Sequence, residues 1–413
     1  MNRPTGAVGY RAVLRLPGAP RAFAAATLGR LSYGTLSLSL LLAVQGATGS
    51  YLAAGTALGV FGVTSFLMPA KSRLVDRSGQ RRVIPLLAAA FALSLFAMAA
   101  CSAAGVSSGS VYVALAAVVG LAAPSLGPSM RALWAALTPD PATRQRAYSL
   151  DGVVEDTLFA FGPLLAGRLV AVADASAALA VTGLLNVVGA TAMATSPAAR
   201  LHAPPAAARS GARLAGPYLS RRFTLLIVAL FGVGLGSGPL DLAVVARAQG
   251  AGDPGAAGFV LAAMAVGSAV GGLVWGQLTH RGRTSTQLGV LVAMTAVGYA
   301  LAAATPTIPT LAVALGLTGL VGAPVFVVSY LAADRLAPAG TGTEATTWVN
   351  TSSNIGLSAG AGLAGVVIDR SGATGALLTG TAILALTAVG VLAGRARSPA
   401  GQRRGQVPRR LRR

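Results

Sequence analysis

Three acids, Asp151, Glu155 and Asp156, stand in a stretch that is otherwise fit for an apolar helix, and they are the groups in this chain best placed to do chemistry. On a helix, residues four apart share a face, so Asp151 and Glu155 point the same way and repel each other when both are ionised. The apolar run begins near Ala147. Glu155 therefore lies roughly 12 Å along it, at about 1.5 Å per residue. A carboxylate held there in a low-dielectric setting must be protonated or meet a counter-ion. Arg30 and Arg131, each in an apolar stretch of its own, are candidate partners. Two readings follow. In one, Glu155, with Asp156 or Asp151, binds and releases a proton; in the other, the acids and arginines form a structural ion-pair cluster. Arg30 has a third option, snorkelling to the nearest polar surface. Asp241, after Gly238-Pro239, is the one acid deep in a later apolar stretch. It is either a proton or ligand group or a partner for Arg247.

Other chemistries find no support. Cys101 is the only cysteine, so an intramolecular disulfide is impossible. His202 and His280 are the only histidines, which argues against a buried metal site. Lys71 is the only lysine, and Ser65 stands where a phosphate-binding Gly-x-x-x-x-Gly-Lys-Ser/Thr loop needs its first glycine. No metal and no cofactor is expected.

The elements that carry these residues are set by composition. Hydrophobic residues form 54% of the 413 and charged residues 10%, against about 25% charge in soluble domains; mean hydropathy is +0.69. Apolar stretches of about 20 residues, each long enough to cross roughly 30 Å of hydrocarbon as a helix, recur along the chain. They place spans near 22–44, 51–70, 83–101, 111–137, 147–171, 175–195, 223–246, 256–278, 286–304, 309–333, 343–367 and 373–394. The net charge of +21 is not scattered. The basic residues gather in the N-terminal arm, in alternate loops and in the C-terminal tail, as the positive-inside rule requires with both termini cytoplasmic. A nucleic-acid partner is not expected, because such a protein gathers its arginines on one soluble face. The expected organisation is a cytoplasmic arm (1–21), a six-helix half (22–196), a cytoplasmic linker (197–222), a second six-helix half (223–394) and a basic cytoplasmic tail (395–413). The apolar run after Arg21 continues as a full span, which does not fit a cleavable leader.

The halves read as copies of one another. FGPLLAG (161–167) and SAGAGLAG (358–365) fall at matching places in the fifth and eleventh spans. SRLVDRSGQRR (72–82) and GQLTHRGR (276–283) follow the second and eighth. Both copies run in the same direction across the membrane, as for halves related by an axis along the membrane normal.

On these residues the chain resembles the major facilitator superfamily over 20–395. The family's loop after the second span reads Gly-x-Leu-x-Asp-Arg-x-Gly-Arg-Arg. Here Leu74, Asp76, Arg77, Gly79 and Arg81 match, Arg82 adds to the basic run, and Ser72 replaces the opening glycine. The loop itself needs Gly79 for a turn and Asp76 to cap a helix start or to pair with Arg77 or Arg81. The resemblance implies that it latches the halves in an outward-facing state, with Asp76 near the start of the eleventh span. The shorter second copy has His280 at the aspartate position, and no latch role is assigned to it. In the fifth span, Gly162, Pro163 and Gly167 resemble a Gly-Pro motif of the family's proton-coupled antiporters. Locally, Pro163 removes a helical hydrogen bond, and small residues let a neighbour approach. Leu158 replaces a usual glycine, and in the fourth span Arg131 follows the glycine-containing run where the antiporter pattern places it before.

The expectation is an all-α membrane protein of 12 transmembrane helices in two pseudo-symmetric six-helix halves. By resemblance it is a secondary transporter working by alternating access and exporting a drug or metabolite in exchange for protons. Its partners are the lipid bilayer, a small-molecule substrate and protons, and it is read as a monomer in the inner (plasma) membrane of a GC-rich bacterium. A proton-coupled importer of a sugar, amino acid or organic acid is the alternative; a membrane-embedded enzyme or scaffold is more remote. Tyr33, Asn186, Tyr330, Trp348, Asn350 and Asn354 are polar groups able to line a cavity.

Overall fold

Helices account for almost every regular element in the computed structural model, which describes residues 9–201, 220–253, 256–280 and 282–396. The expected linker arginines Arg209 and Arg213 and the tail beyond Ala396 lie outside the described residues. Among those described, nine helices are long and apolar enough to cross a membrane, and ten if one bent pair counts as a single span. That pair is Leu52–Thr64 with Met68–Ser78, set at 46°. Two further features make the order consistent with twelve crossings. The helix Gly342–Ala396 breaks at Gly372, whose φ of 68° turns the chain between an eleventh and a twelfth span. Pro141–Val172, a 32-residue helix that carries Asp151, Glu155, Asp156 and Arg168 among its apolar residues, serves as the fifth.

The helices begin and end where local chemistry directs. The fifth starts at Pro141, six residues before its apolar run, because Asp140 caps it: its carboxylate accepts from the Thr143 N–H at 2.9 Å and from the Thr143 hydroxyl at 2.7 Å. These bonds hold the Asp140 carboxyl below the ordinary carboxylate range. The seventh span begins at Arg221, inside the stretch expected as linker, on a Ser220 cap. The fourth span is broken between Gly109–Ala122 and Leu126–Leu137. Its counterpart, the tenth, is broken between Ile308–Gly319 and Gly322–Leu336. Pro124 and Pro128 in one, and Pro324 in the other, explain why neither continues as a regular helix.

Inside lipid the hydrophobic effect does not drive helix against helix, so small side chains and shape complementarity must. A core of buried side chains joins the halves toward the end that carries the basic loops: Val13 of the N-terminal arm and Val75 and Tyr148 of the first half lie in it with Val328, Ala345 and Val349 of the second. At the opposite end the first half keeps a separate core, built on Leu36, Leu40, Phe91, Leu95, Tyr112 and Val119. The structure is closed at the basic end.

Candidate functional site

The first, fourth and fifth spans bring four charges into one buried cluster. Arg30 Nη2 donates to Asp151 Oδ1 at 2.9 Å, and Arg30 Nη1 lies 3.8 Å from Glu155 Oε2. Arg131 Nε lies 3.3 Å from Asp151 Oδ2, and Arg131 Nη2 donates to Glu155 Oε2. Two guanidinium groups thus face two carboxylates, and the cluster is neutral when all four are ionised. This compensation is what allows them to be buried, since breaking a buried pair leaves an uncompensated charge worth about 3–5 kcal/mol. Arg30, Arg131 and Asp151 are at most 3% exposed, whereas Glu155 is 21% exposed. Glu155 is the most exposed member of the set.

The cluster exists because the helices approach closely at glycine. The first span has no room for a Cβ at Gly34, where one would run into the Leu158 carbonyl, nor the fifth at Gly162, where one would run into the Gly34 backbone. One turn before Gly34, Arg30 therefore meets the fifth span directly. The helix continues through Pro163 to Val172. Gly167 makes only ordinary contact, its Cβ position lying 3.8 Å from Leu38. In the fourth span the break frees the turn that carries Arg131, and Lys71 Nζ donates to the Gly120 carbonyl at 2.8 Å, where the preceding helix segment is ending. A cation on the closing carbonyls of a helix is favourable in charge and in hydrogen bonding.

The second half reaches this cluster at two places. The Tyr330 ring lies over the Arg131 guanidinium, 3.8 Å from ring centroid to the guanidinium carbon, and its hydroxyl donates to Asn350 Oδ1. Asp156, next to Glu155 in sequence, turns instead to the eighth span and accepts from Ser268 Oγ at 3.0 Å. Ser268 Oγ in turn accepts from the Ala323 N–H at 3.1 Å. Asp241 stands apart from this cluster: it sits in the first turn of Pro239–Gly250 and makes no hydrogen bond or ion pair among the described residues. The expected alternative of an Asp241–Arg247 pair is corrected, because Arg247 donates to Thr374 Oγ1 at 3.0 Å and to the Thr305 carbonyl. Asn186 is fully buried and donates to Ser32 Oγ at 2.9 Å, within the first half.

At the basic end two sets of contacts clamp the halves. The Asp76 carboxylate accepts from the Thr343 N–H at 3.2 Å and the Glu344 N–H at 2.9 Å, capping the first turn of the eleventh span. Asp76 pairs with neither Arg77 nor Arg81; those two and Arg82 point to solvent. The ion pair of this loop is Arg73 with Glu344, two parallel contacts at 3.0 and 2.5 Å. Buried Ser72 meets Thr347 at 2.7 Å, so serine serves at the close approach where the family has glycine. Gly79, with φ of 86°, makes the turn into the third span, and Leu74 is exposed. Across the molecule, Arg144 pairs with Asp334 at 2.6 Å. Gln145 Nε2 donates to the carbonyls of Trp275 and Leu278 at 2.7 and 3.0 Å and lies 3.0 Å from His280 Nδ1. The second-half loop therefore meets the first half through backbone carbonyls, with no aspartate in the role of Asp76.

Arg73, Glu344, Arg144, Asp334 and Gln145 were not singled out from sequence. Their only signal was charge or polarity at a helix end, which solvated loop residues share. What the arrangement offers chemically is a neutral set of two carboxylates and two fixed arginines, with a second-half aromatic ring resting on one of the arginines. Among the described residues no group of three or more His, Cys, Asp or Glu is placed to hold a metal ion.

The model of the Major Facilitator Superfamily matches residues 22–252 and 226–412. Among solved structures, the human organic anion transporter MFSD10 (TETRAN) is similar with a TM-score of 0.72 and 18% identity, over 91% of this chain and 99% of that one. A bacterial homologue of the iron transporter ferroportin, in an outward-facing state with soaked iron, gives 0.70 and 16%, over 92% and 99%. A variant of the E. coli fucose:proton symporter FucP gives 0.67 and 15%, over 92% and 98%. At these identities the likeness shows the shared fold. No curated protein sequence matches the chain.

Proposed function

Since the chain belongs to the major facilitator superfamily of membrane transporters, we propose that it exports a small organic molecule in exchange for protons, by alternating access of its two halves. The observation that carries this reading is the neutral cluster of Arg30, Arg131, Asp151 and Glu155, in which Glu155 is by far the most exposed member. Protonating Glu155 leaves Arg30 and Arg131 to share the single carboxylate of Asp151, and Arg131 is the residue on which Tyr330 of the other half rests. The proton state of one carboxyl thus bears on a contact between the halves, which is the coupling an antiporter needs. An anionic or polar substrate group competing for the same arginines would displace the proton or be displaced by it.

In this reading the basic end is cytoplasmic, following the positive-inside rule. The closed contacts of Asp76, Arg73 and Arg144 then belong to the outward-facing state, and these residues act as the cytoplasmic latch. The unit is a monomer within the inner membrane, and its two functional bodies are 22–196 and 223–394.

Inverted membrane vesicles energised by a proton gradient test the proposal. Gradient-dependent accumulation of a compound inside them means export in the cell, and the proton-dependent gain disappears on collapsing the gradient. Accumulation in right-side-out vesicles driven by an inward proton gradient would instead establish import, and gradient-independent movement would overturn the proton role.

A further inference from the structure

A groove of about 900 Å³ runs along the second half, between the seventh and twelfth spans and the basic ends of the ninth and tenth. It does not belong to the charged cluster described above. Its walls are apolar: Val228, Phe231 and Leu386 line it, and they are 60%, 36% and 73% exposed, as side chains facing lipid are. Its mouth is cationic. Arg222, Arg283 and Arg335 converge there from three different helices or their flanks, and no acid lines the groove. Arg335 Nη1 donates to Thr284 Oγ1 at 2.8 Å, while Arg222 and Arg283 make no hydrogen bond or ion pair among the described residues. The same mouth receives the start of the ninth span, Thr284–Ala304, which has no side-chain cap.

We propose that this groove binds one anionic phospholipid, its phosphate held by the three arginines and the start of the ninth span, and one acyl chain lying between the seventh and twelfth spans. Three cations around an uncapped helix start form a phosphate-binding arrangement. The apolar walls follow the seventh span from Arg222 to Leu235, about 20 Å at 1.5 Å per residue. That length matches roughly one leaflet of a bilayer with its headgroup layer. Surface arginines obeying topology alone would be spread around the helix ends. Here three meet at the mouth of one groove whose apolar walls suit hydrocarbon.

Purified, delipidated full-length protein would be titrated with phosphatidylglycerol, phosphatidylcholine or inorganic phosphate, with binding read by native mass spectrometry and unfolding temperature. The expected result is one phosphatidylglycerol retained per chain, at least tenfold tighter than phosphatidylcholine. Combined Arg222→Ala, Arg283→Ala and Arg335→Ala should weaken phosphatidylglycerol binding about a hundredfold, at about fivefold per arginine. Val228→Trp, which fills the groove and leaves its charges in place, should also lower retention. Equal binding of both lipids overturns the proposal, as does wild-type retention by either variant. So does inorganic phosphate alone reproducing the thermal shift, which would mean a headgroup site without a chain. Should the triple arginine variant fail to fold, Val228→Trp and the comparison of lipids decide.

Discussion

The guanidinium carbon of Arg131 lies 3.8 Å from the ring centroid of Tyr330, placing a cation of the first half against an aromatic face of the second. Because Arg131 is also held by Asp151 and Glu155, this contact joins the buried charge cluster to the closure of the basic end. A cation over an aromatic face contributes about 0.5–2 kcal/mol, the larger values where water is excluded. Tyr330→Ala should therefore shift the equilibrium away from the closed basic end by up to about thirtyfold, while Tyr330→Phe keeps the ring and shifts it less. Spin-label distances between the loops at that end would measure both; equal shifts for the two variants would assign the effect to the Asn350 hydrogen bond instead.

Replacing Glu155 with Gln removes the ionisable carboxyl and keeps the shape. Proton-driven transport should fall at least a hundredfold, and the remaining movement should lose its dependence on pH. Asp151→Asn is expected to act differently. Asp151 is fully buried and contacts both arginines, so its loss leaves unpaired charge and costs about 3–5 kcal/mol of stability. Transport assays in vesicles, with thermal unfolding in parallel, separate the two. Undiminished proton-driven transport by Glu155→Gln would remove it from the mechanism.

At the latch, Asp76→Ala uncaps the eleventh span and should cost about 1 kcal/mol of the closed arrangement. Glu344→Arg should open the basic end more strongly, because it sets like charge against Arg73. Combining it with Arg73→Glu should restore closure. Labelling of a cysteine introduced near Thr343, in a background where Cys101 is Ser, reports this: labelling rises in the single variants and returns toward wild type in the swap. No recovery in the swap would mean that the ion pair does not hold the latch.

The glycines of the fifth span should separate by position. Gly162→Ala forces a methyl into the Gly34 backbone and should destabilise by about 1–3 kcal/mol or more. Gly167→Ala meets only the far end of Leu38 at 3.8 Å and should be nearly neutral. Unfolding temperatures of the two variants in one detergent check this, and equal losses would contradict the packing described.

The chain's composition and the rhythm of its apolar stretches and arginines were enough to establish a polytopic helical protein with one face of basic loops. Local spacing was also enough to mark Asp151, Glu155 and Asp156, since a helix's own period shows which of its residues share a face. It could not reveal that Asp156 turns away from Glu155 toward Ser268, 112 residues later, or that Asp76 caps a helix beginning some 267 residues away. Nor could it show that Glu344 is held by Arg73, while Asp241 and Arg247 do not pair with each other. Those outcomes depend on how each helix is rotated about its axis and on which neighbour it meets. In lipid, both are decided by where small residues such as Gly34 and Gly162 allow backbones to touch. Such contacts are properties of two surfaces together, so they came into view only with the tertiary structure.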